Sequence, residues 1–171
     1  FPFDIPTTQP SGGGGLPYAS NQTEAVTVIV SPGESGKVIP DFDIKITPTS
    51  ATQKVSLSGT ILGEWSAYAH YCSIVLYRGE TSLAPPNVSN LISVNGIFAL
   101  NAANTAGSIT PESCNFSFVD EPGATSELTY TVKVINTFSQ SVSFYLNHTV
   151  GDNQSDARRM VSTFTAQCFE P

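Results

Sequence analysis

Residues 129–134 read Thr129-Tyr-Thr-Val-Lys-Val134, and residues 141–146 read Ser141-Val-Ser-Phe-Tyr-Leu146. Tyr130, Val132 and Val134 alternate with Thr129, Thr131 and Lys133; Val142, Phe144 and Leu146 alternate with Ser141, Ser143 and Tyr145. Successive side chains of a strand point to opposite faces, so a period of two buries one face and wets the other. A helix would need apolar residues three and four apart, and no segment of the chain sustains that stripe. The two strands read as a hairpin turning through Asn136 to Gln140.

The same alternation runs outward in both directions. Val26, Val28 and Val30 form one strand, closed by the turn Ser31-Pro-Gly-Glu-Ser-Gly36, and Phe42, Ile44 and Ile46 form another, ending at Pro48. Val55, Leu57, Gly59 and Ile61 follow. Ser73-Ile-Val-Leu-Tyr77 is apolar on both faces, as in a strand covered on both sides. Ser93 to Leu100 reads as a weaker strand, and Cys114, Phe116 and Phe118 lead to the turn Asp120-Glu-Pro-Gly123. Ser162, Phe164, Ala166 and Cys168 close the chain. Turns at this spacing predict an all-β, two-sheet antiparallel β-sandwich (jelly roll) of about eight or nine strands.

Residues 1–20 are different. Pro2, Pro6, Pro10 and Pro17 surround the run Gly12 to Gly15, which removes donors and raises the entropy cost of ordering. The chain therefore reads as an arm over residues 1–20 and one jelly-roll domain over 21–171. A first residue Phe1 in place of Met suggests a piece of something longer. With 171 residues one core is well supported and two would both be marginal.

Composition narrows the function. A net charge of −7 with seven Lys and Arg cannot neutralise a run of phosphates, so nucleic acid is not an expected partner. No apolar stretch reaches the roughly 18 residues of a membrane helix, and membrane insertion is not expected. Cys72, Cys114 and Cys168 are an odd number, which favours buried thiols over a disulfide framework. Glycosylation sequons start at Asn21, Asn87, Asn115, Asn147 and Asn153, a pattern that a Ser/Thr-rich strand protein also produces by chance.

Three stretches resemble a known pattern: Ile46-Thr-Pro-Thr-Ser-Ala-Thr-Gln-Lys-Val55, Ser73-Ile-Val-Leu-Tyr-Arg-Gly-Glu-Thr-Ser82, and Phe118-Val-Asp-Glu-Pro-Gly-Ala-Thr-Ser-Glu-Leu-Thr-Tyr-Thr-Val132. They are similar to segments near the C-termini of phage tail-fibre and related virion proteins, with Phe144-Tyr-Leu-Asn147 and Ser162 to Glu170 resembling the last strands. The resemblance covers about two-thirds of the chain, from about Asp41 onward, and excludes Pro85 to Glu112. It implies a TNF/C1q-like jelly roll at a fibre tip that forms a homotrimer, touches a host surface glycan or protein, and lies on the virion surface. In plain physical terms Pro48 fixes a corner, Lys54 marks a solvent edge, Gly79 and Gly123 supply turns, and Tyr130 is a half-buried ring with its hydroxyl at the rim.

Nothing in the sequence assembles an active site, and the chain reads as a non-enzyme without a cofactor or metal. His70 and His148 are the only side-chain imidazoles, with no nucleophile elbow. Asp41, Asp43, Glu64 and Asp120 are the carboxylates that a glycosidase would have to pair, and Trp65 could be a sugar platform or a core ring. The candidate binding loop is Gly151 to Arg159, where Asp152, Asn153, Gln154, Asp156, Arg158 and Arg159 offer acceptors and donors suited to sugar hydroxyls; Ala84 to Asn90 and Ala102 to Pro111 are further loop candidates. Three functions compete: a receptor-binding fibre tip, a capsid decoration (cement) protein clamping other virion proteins through its arm, and a secreted TNF/C1q-like module.

Overall fold

A computed structural model describes residues 16–34, 36–67, 72–83, 112–151 and 160–171. Alternation becomes ten strands: β1 (Tyr18–Thr23), β2 (Val26–Val30), β3 (Lys37–Ile46), β4 (Lys54–Trp65), β5 (Cys72–Arg78), β6 (Thr81–Ser82), β7 (Glu112–Asp120), β8 (Leu128–Asn136), β9 (Val142–Leu146) and β10 (Ser162–Phe169). The ladders nest: β1 pairs with β10, β2 with β9, β3 with β8, β4 with β7 and β5 with β6, all antiparallel. The chain is thus one long hairpin with its apex at the β5–β6 turn, rolled so that β4 also meets β10 and β9, and β8 also meets β5. Rolling yields two sheets, one containing β1, β10, β4, β7, β9 and β2, the other β3-β8-β5-β6. This is a jelly roll.

Packing follows the pattern of apolar residues. Val55, Leu57, Ile61 and Trp65 of β4 face Ile74 and Leu76 of β5 and Tyr130, Val132 and Val134 of β8 across a single core. Phe42 and Phe164 meet between the sheets with ring centroids 5.7 Å apart, and Phe116 meets Phe164 at 5.6 Å. In β3 the register slips between Val38 and Asp43, and Asp41 takes a positive φ of 54°. That bulge turns both Ile39 and Phe42 inward, three residues apart. Gly59 has no alternative: a Cβ there would collide with the Thr163 carbonyl and sit 2.8 Å from the Phe116 ring.

Several expectations change. Among the described residues the strands number ten, because Tyr18–Thr23 and the two-residue β6 join the sheets; Tyr18 to Ser20, assigned to the arm, are ladder partners of Gln167 to Thr165. Residues 1–15 and the expected strand Ser93 to Leu100 lie outside the described residues. The expected β8–β9 hairpin does not form. Asn136, buried, donates from Nδ2 to the carbonyls of Val30 (3.1 Å) and Gln140 (2.8 Å) and accepts from Phe138 N, so the chain crosses from one sheet to the other. Lys54 begins β4 opposite Phe169 with its side chain 31% exposed. The outer face of β5 is closed within a single copy, with Val75 only 1% exposed; it does not need a neighbouring subunit to cover it.

The sandwich has two distinct ends. One holds the β3–β4 corner, the β5–β6 turn, residues 121–127, Pro17 and the last residues of the chain. At the other lie the β2–β3 connection, the β8–β9 crossing and the two stems, 147–151 and 160–161, of the segment between β9 and β10. β10, eight residues long, runs between them, a distance of roughly 25 Å at about 3.3 Å per residue.

Candidate functional site

The loop between β9 and β10 carries the binding residues expected from sequence. Asp152, Asn153, Gln154, Asp156, Arg158 and Arg159 lie outside the described residues, as does His70, but both stems of the loop are described. They are held by Asn147, fully buried with a positive φ of 60°. Its Nδ2 donates to the carbonyls of Thr23 (2.7 Å) and Glu24 (3.2 Å), and its Oδ1 accepts from the backbone N–H (2.7 Å) and hydroxyl (2.6 Å) of Ser162. Its own N–H donates to Leu62 O, and its carbonyl accepts from Met160 N. One amide thus ties both loop stems to β4 and to the β1–β2 link. Beside it, the buried Glu64 accepts from Val150 N at 2.9 Å, and the buried His148 contacts Thr27 Oγ1 through Nε2 at 3.1 Å and the Tyr145 ring edge-on. An amide suits a left-handed residue that must both donate and accept, yet sequence presented Asn147 only as a sequon. Its burial leaves no room for a glycan there.

At the opposite end the three stretches 46–55, 73–82 and 118–132 converge. Arg78, from the second motif, donates from Nη1 to both oxygens of Asp120, from the third, at 2.9 and 2.7 Å. The Tyr130 hydroxyl donates to Asp120 Oδ2 at 2.7 Å. Tyr130 is fully buried, not a rim residue. Burial first, then the Asp120 carboxylate, pushes its phenol well above its ordinary range. The first motif contributes the corner, where the buried Gln53 accepts from Thr49 N (2.8 Å) and donates to Glu170 Oε1 (2.8 Å), and Lys54 pairs with Glu121 at 2.6 Å. These residues fasten β5 and β8 of one sheet to β7 of the other. Their role in the fold is structural.

The remaining candidates for chemistry are dispersed. Glu64 and Asp120 lie toward opposite ends of β4, since Asp120 pairs with Val55 nine residues before Glu64; at about 3.3 Å per residue that is roughly 30 Å, too far for a carboxylate pair acting on one glycosidic bond. Asp43 lines a cleft and Asp41 sits at the bulge. Trp65 is a core ring, fully buried and 4.8 Å from Phe144, and offers no sugar platform. None of the three cysteines is in a disulfide; burial raises the thiols, that of Cys72 to about 12, which suppresses thiolate chemistry. Among the described residues no three His, Cys, Asp or Glu side chains gather as a metal would require. Of the described sequons, Asn21 is half-buried with its amide on the Asp41 and Asp43 carbonyls, and Asn115 is exposed.

Two surfaces were not evident from sequence. The outer face of β1, β10, β4 and β7 carries Ser20, Ser56, Ser58, Thr60, Ser117 and Thr165 with no charge between Lys54 and Glu64. Ser58 and Thr165 share a hydroxyl contact of 2.7 Å and Thr60 donates to Asn115 at 2.6 Å. Beside it, a cleft of about 440 Å³ opens between β1 and β3. The signal for the face was present in the alternating Ser and Thr positions, but which strands share a face depends on the roll.

No known protein family matches the chain, and no curated protein does. Among solved structures, a mutant VP2 protein of infectious bursal disease virus in derived T=1 particles is similar over 88% of this chain, at 15% identity with a TM-score of 0.36, and a chain of the infectious bursal disease virus Gt strain over 88%, at 14% identity with a TM-score of 0.35. This chain spans 36% of the length of each. Likeness at that level leaves the function open.

Proposed function

We propose that the chain is a non-enzymatic structural domain of a virus particle, acting as the receptor-binding tip of a tail fibre. The observation that carries this reading is polarity. The arm enters at Leu16, at the end where the fibre-like motifs lock the sheets, while the loop with the most varied polar groups leaves from the opposite end, roughly 25 Å away along β10. A tether at one end and loops on a rigid sandwich at the other suit a module that is held from behind and reads a surface in front. The fibre-like motifs support the fold and agree with the placement; fold alone would not assign the role. A host glycan or surface protein is the partner, and Asp152, Asn153, Gln154, Asp156, Arg158 and Arg159 are the residues to contact it.

In this reading the working unit is a homotrimer on the virion surface. Each copy carries a net charge of −7, so copies meet at least electrostatic cost through an uncharged surface. The outer face of β1, β10, β4 and β7 is such a surface. Light scattering is expected to give about three times 18 kDa, and Ser117→Glu, on the exposed side of β7, to return it to the single-chain mass; a single-chain mass for the unaltered protein removes the trimer. The attachment role is tested by replacing Asp156, Arg158 and Arg159 together with Ala. Loss of adhesion to host cells with assembly onto particles retained supports the tip; unchanged adhesion excludes this loop. The cement reading is favoured by one feature, the cleft beside the point where the arm enters.

A further inference from the structure

We infer that the cleft between β1 and β3 is a binding site for a short neutral oligosaccharide, held by the Asp43 carboxylate, the Asn21 amide oxygen and the Lys45 ammonium. Its volume of about 440 Å³ falls within the range of about 300–1,000 Å³ typical of ligand sites. The polar side chains of its lining belong to Ser20, Asn21, Asp43, Lys45, Thr47 and Glu127. Asn21 gives both hydrogens of its amide to the carbonyls of Asp41 (2.9 Å) and Asp43 (2.8 Å), which ties β1 to β3 and leaves Oδ1 as an acceptor. Among the described residues that oxygen, the Asp43 carboxylate and the Ser20 and Thr47 hydroxyls have no hydrogen-bond or ion-pair partner. Lys45 is 4.0 Å from Glu127 and both side chains are more than half exposed, so the ammonium keeps donors for a ligand.

These groups exclude most ligand classes. Asp43 pairs with Thr131 and Ile46 with Leu128, so Glu127 lies level with Thr47, four residues along β3 from Asp43. At about 3.3 Å per residue the two carboxylates are roughly 13 Å apart along the strands. One metal ion, which holds its oxygens at about 2.3–2.6 Å, does not reach both. A phosphate, a sulfate or an acidic sugar would meet two carboxylates for one ammonium, on a chain of net charge −7. An apolar ligand would find little to cover, because Ile44 and Ile46 are each only 3% exposed.

The ligand that suits the cleft is uncharged, elongated and rich in O–H donors. Linked sugar rings have that character. Adjacent hydroxyls of one ring donate to the two oxygens of a carboxylate, here Asp43, in hydrogen bonds strengthened by its charge. The same hydroxyls accept from an ammonium, here Lys45, and exchange bonds with Ser20 and Thr47. The inference stands apart from the role given to the loop between β9 and β10, because the cleft shares no residue with that loop.

Nuclear magnetic resonance titration of the full chain tests it. The probes are neutral trisaccharides of glucose, galactose, mannose and N-acetylglucosamine at millimolar concentration, with a sialylated trisaccharide and an extended uncharged peptide for comparison. At least one neutral probe is expected to shift the backbone signals of Ser20, Asn21, Asp43 and Lys45 saturably, while that of Gln140, exposed at the far end of the sandwich, stays in place. Asp43→Asn, which keeps the shape of the side chain and removes its charge, should weaken that binding about tenfold with the thermal midpoint unchanged. Lys45→Ala, at an exposed position, should weaken it by a smaller factor and carries the test if Asp43→Asn does not fold. No saturable shift at these residues with any neutral probe overturns the inference. So does tighter binding of the sialylated probe or the peptide, or affinity for the neutral probe that is undiminished in the folded variants.

Discussion

The two ends of the sandwich are both closed by buried polar groups, but with opposite chemistry. At the arm end an ion pair, Arg78 with Asp120, is completed by the Tyr130 hydroxyl and joins the two sheets. At the loop end a neutral amide, Asn147, joins four segments through its side chain and backbone. A carboxylate accepts only, so it suits a place where donors converge from Arg and Tyr. An amide donates and accepts, so it suits a place where carbonyls of one link face the N–H and hydroxyl of another. The arm end fixes sheet against sheet, and the loop end fixes the roots of a loop; the second arrangement leaves the sequence beyond those roots free to vary.

Five variants sharpen or break that contrast. Asn147→Ala is expected to have the largest effect, about 4 kcal/mol of stability, because it leaves the Ser162 and Thr23 groups without their partner at roughly 1–3 kcal/mol each and places Ala at positive φ. Asn147→Gly, which relieves only the backbone, should recover a minority of the loss; full recovery in chemical denaturation would show that the hydrogen bonds matter little. Asp120→Ala is expected to cost about 3 kcal/mol, the low end for breaking a buried pair, because the Arg78 side chain is 27% exposed and can be partly hydrated. If Asp120→Ala proves costlier than Asn147→Ala, the ranking of the two ends is reversed.

Tyr130→Phe removes one hydrogen bond, worth about 1 kcal/mol at neutral pH, and changes the alkaline limb. The phenol is raised in the folded state, so its stabilisation is complete below the ordinary tyrosine value and declines as pH rises above about 10, where only the unfolded chain ionises. The slope of stability against pH above that point should be shallower in Tyr130→Phe by about 1.4 kcal/mol per pH unit, the contribution of one proton; an unchanged slope would place the ionisation elsewhere. The smallest effect belongs to the loop. Asp156, Arg158 and Arg159 replaced together with Ala should change stability by less than about 0.5 kcal/mol, the range usual for surface-charge substitutions, as chemical denaturation would read.

Strand positions were legible because a half-buried strand carries its own period, and Phe42, Val55, Tyr130, Phe144 and Phe164 all face the core as their alternation requires. The β8–β9 connection was misread for a physical reason: a short polar run between two strands is compatible with a hairpin or with an arch, and the choice lies in the bond from Asn136 to Val30, 106 residues away in sequence. Of the candidate binding site, sequence proposed the loop by its mixed donors and acceptors, and those residues lie outside the described ones. It could not identify Asn147 as the anchor, because a buried hub and an exposed sequon are spelled alike. Nor could it show that Arg78, Asp120 and Tyr130, from separate motifs, would meet.

Sequence by itself therefore determined the class of fold and the faces of most strands, since each of these depends on residues within a few positions of one another. Tertiary structure decided the nesting of β1 with β10 through β5 with β6, the closure of β5 on both sides, the two polar closures and the cleft beside β1. Those features join residues that are distant in the chain. Period two says which way a side chain points but not which strand lies beside it, and only the rolled hairpin supplies that neighbour.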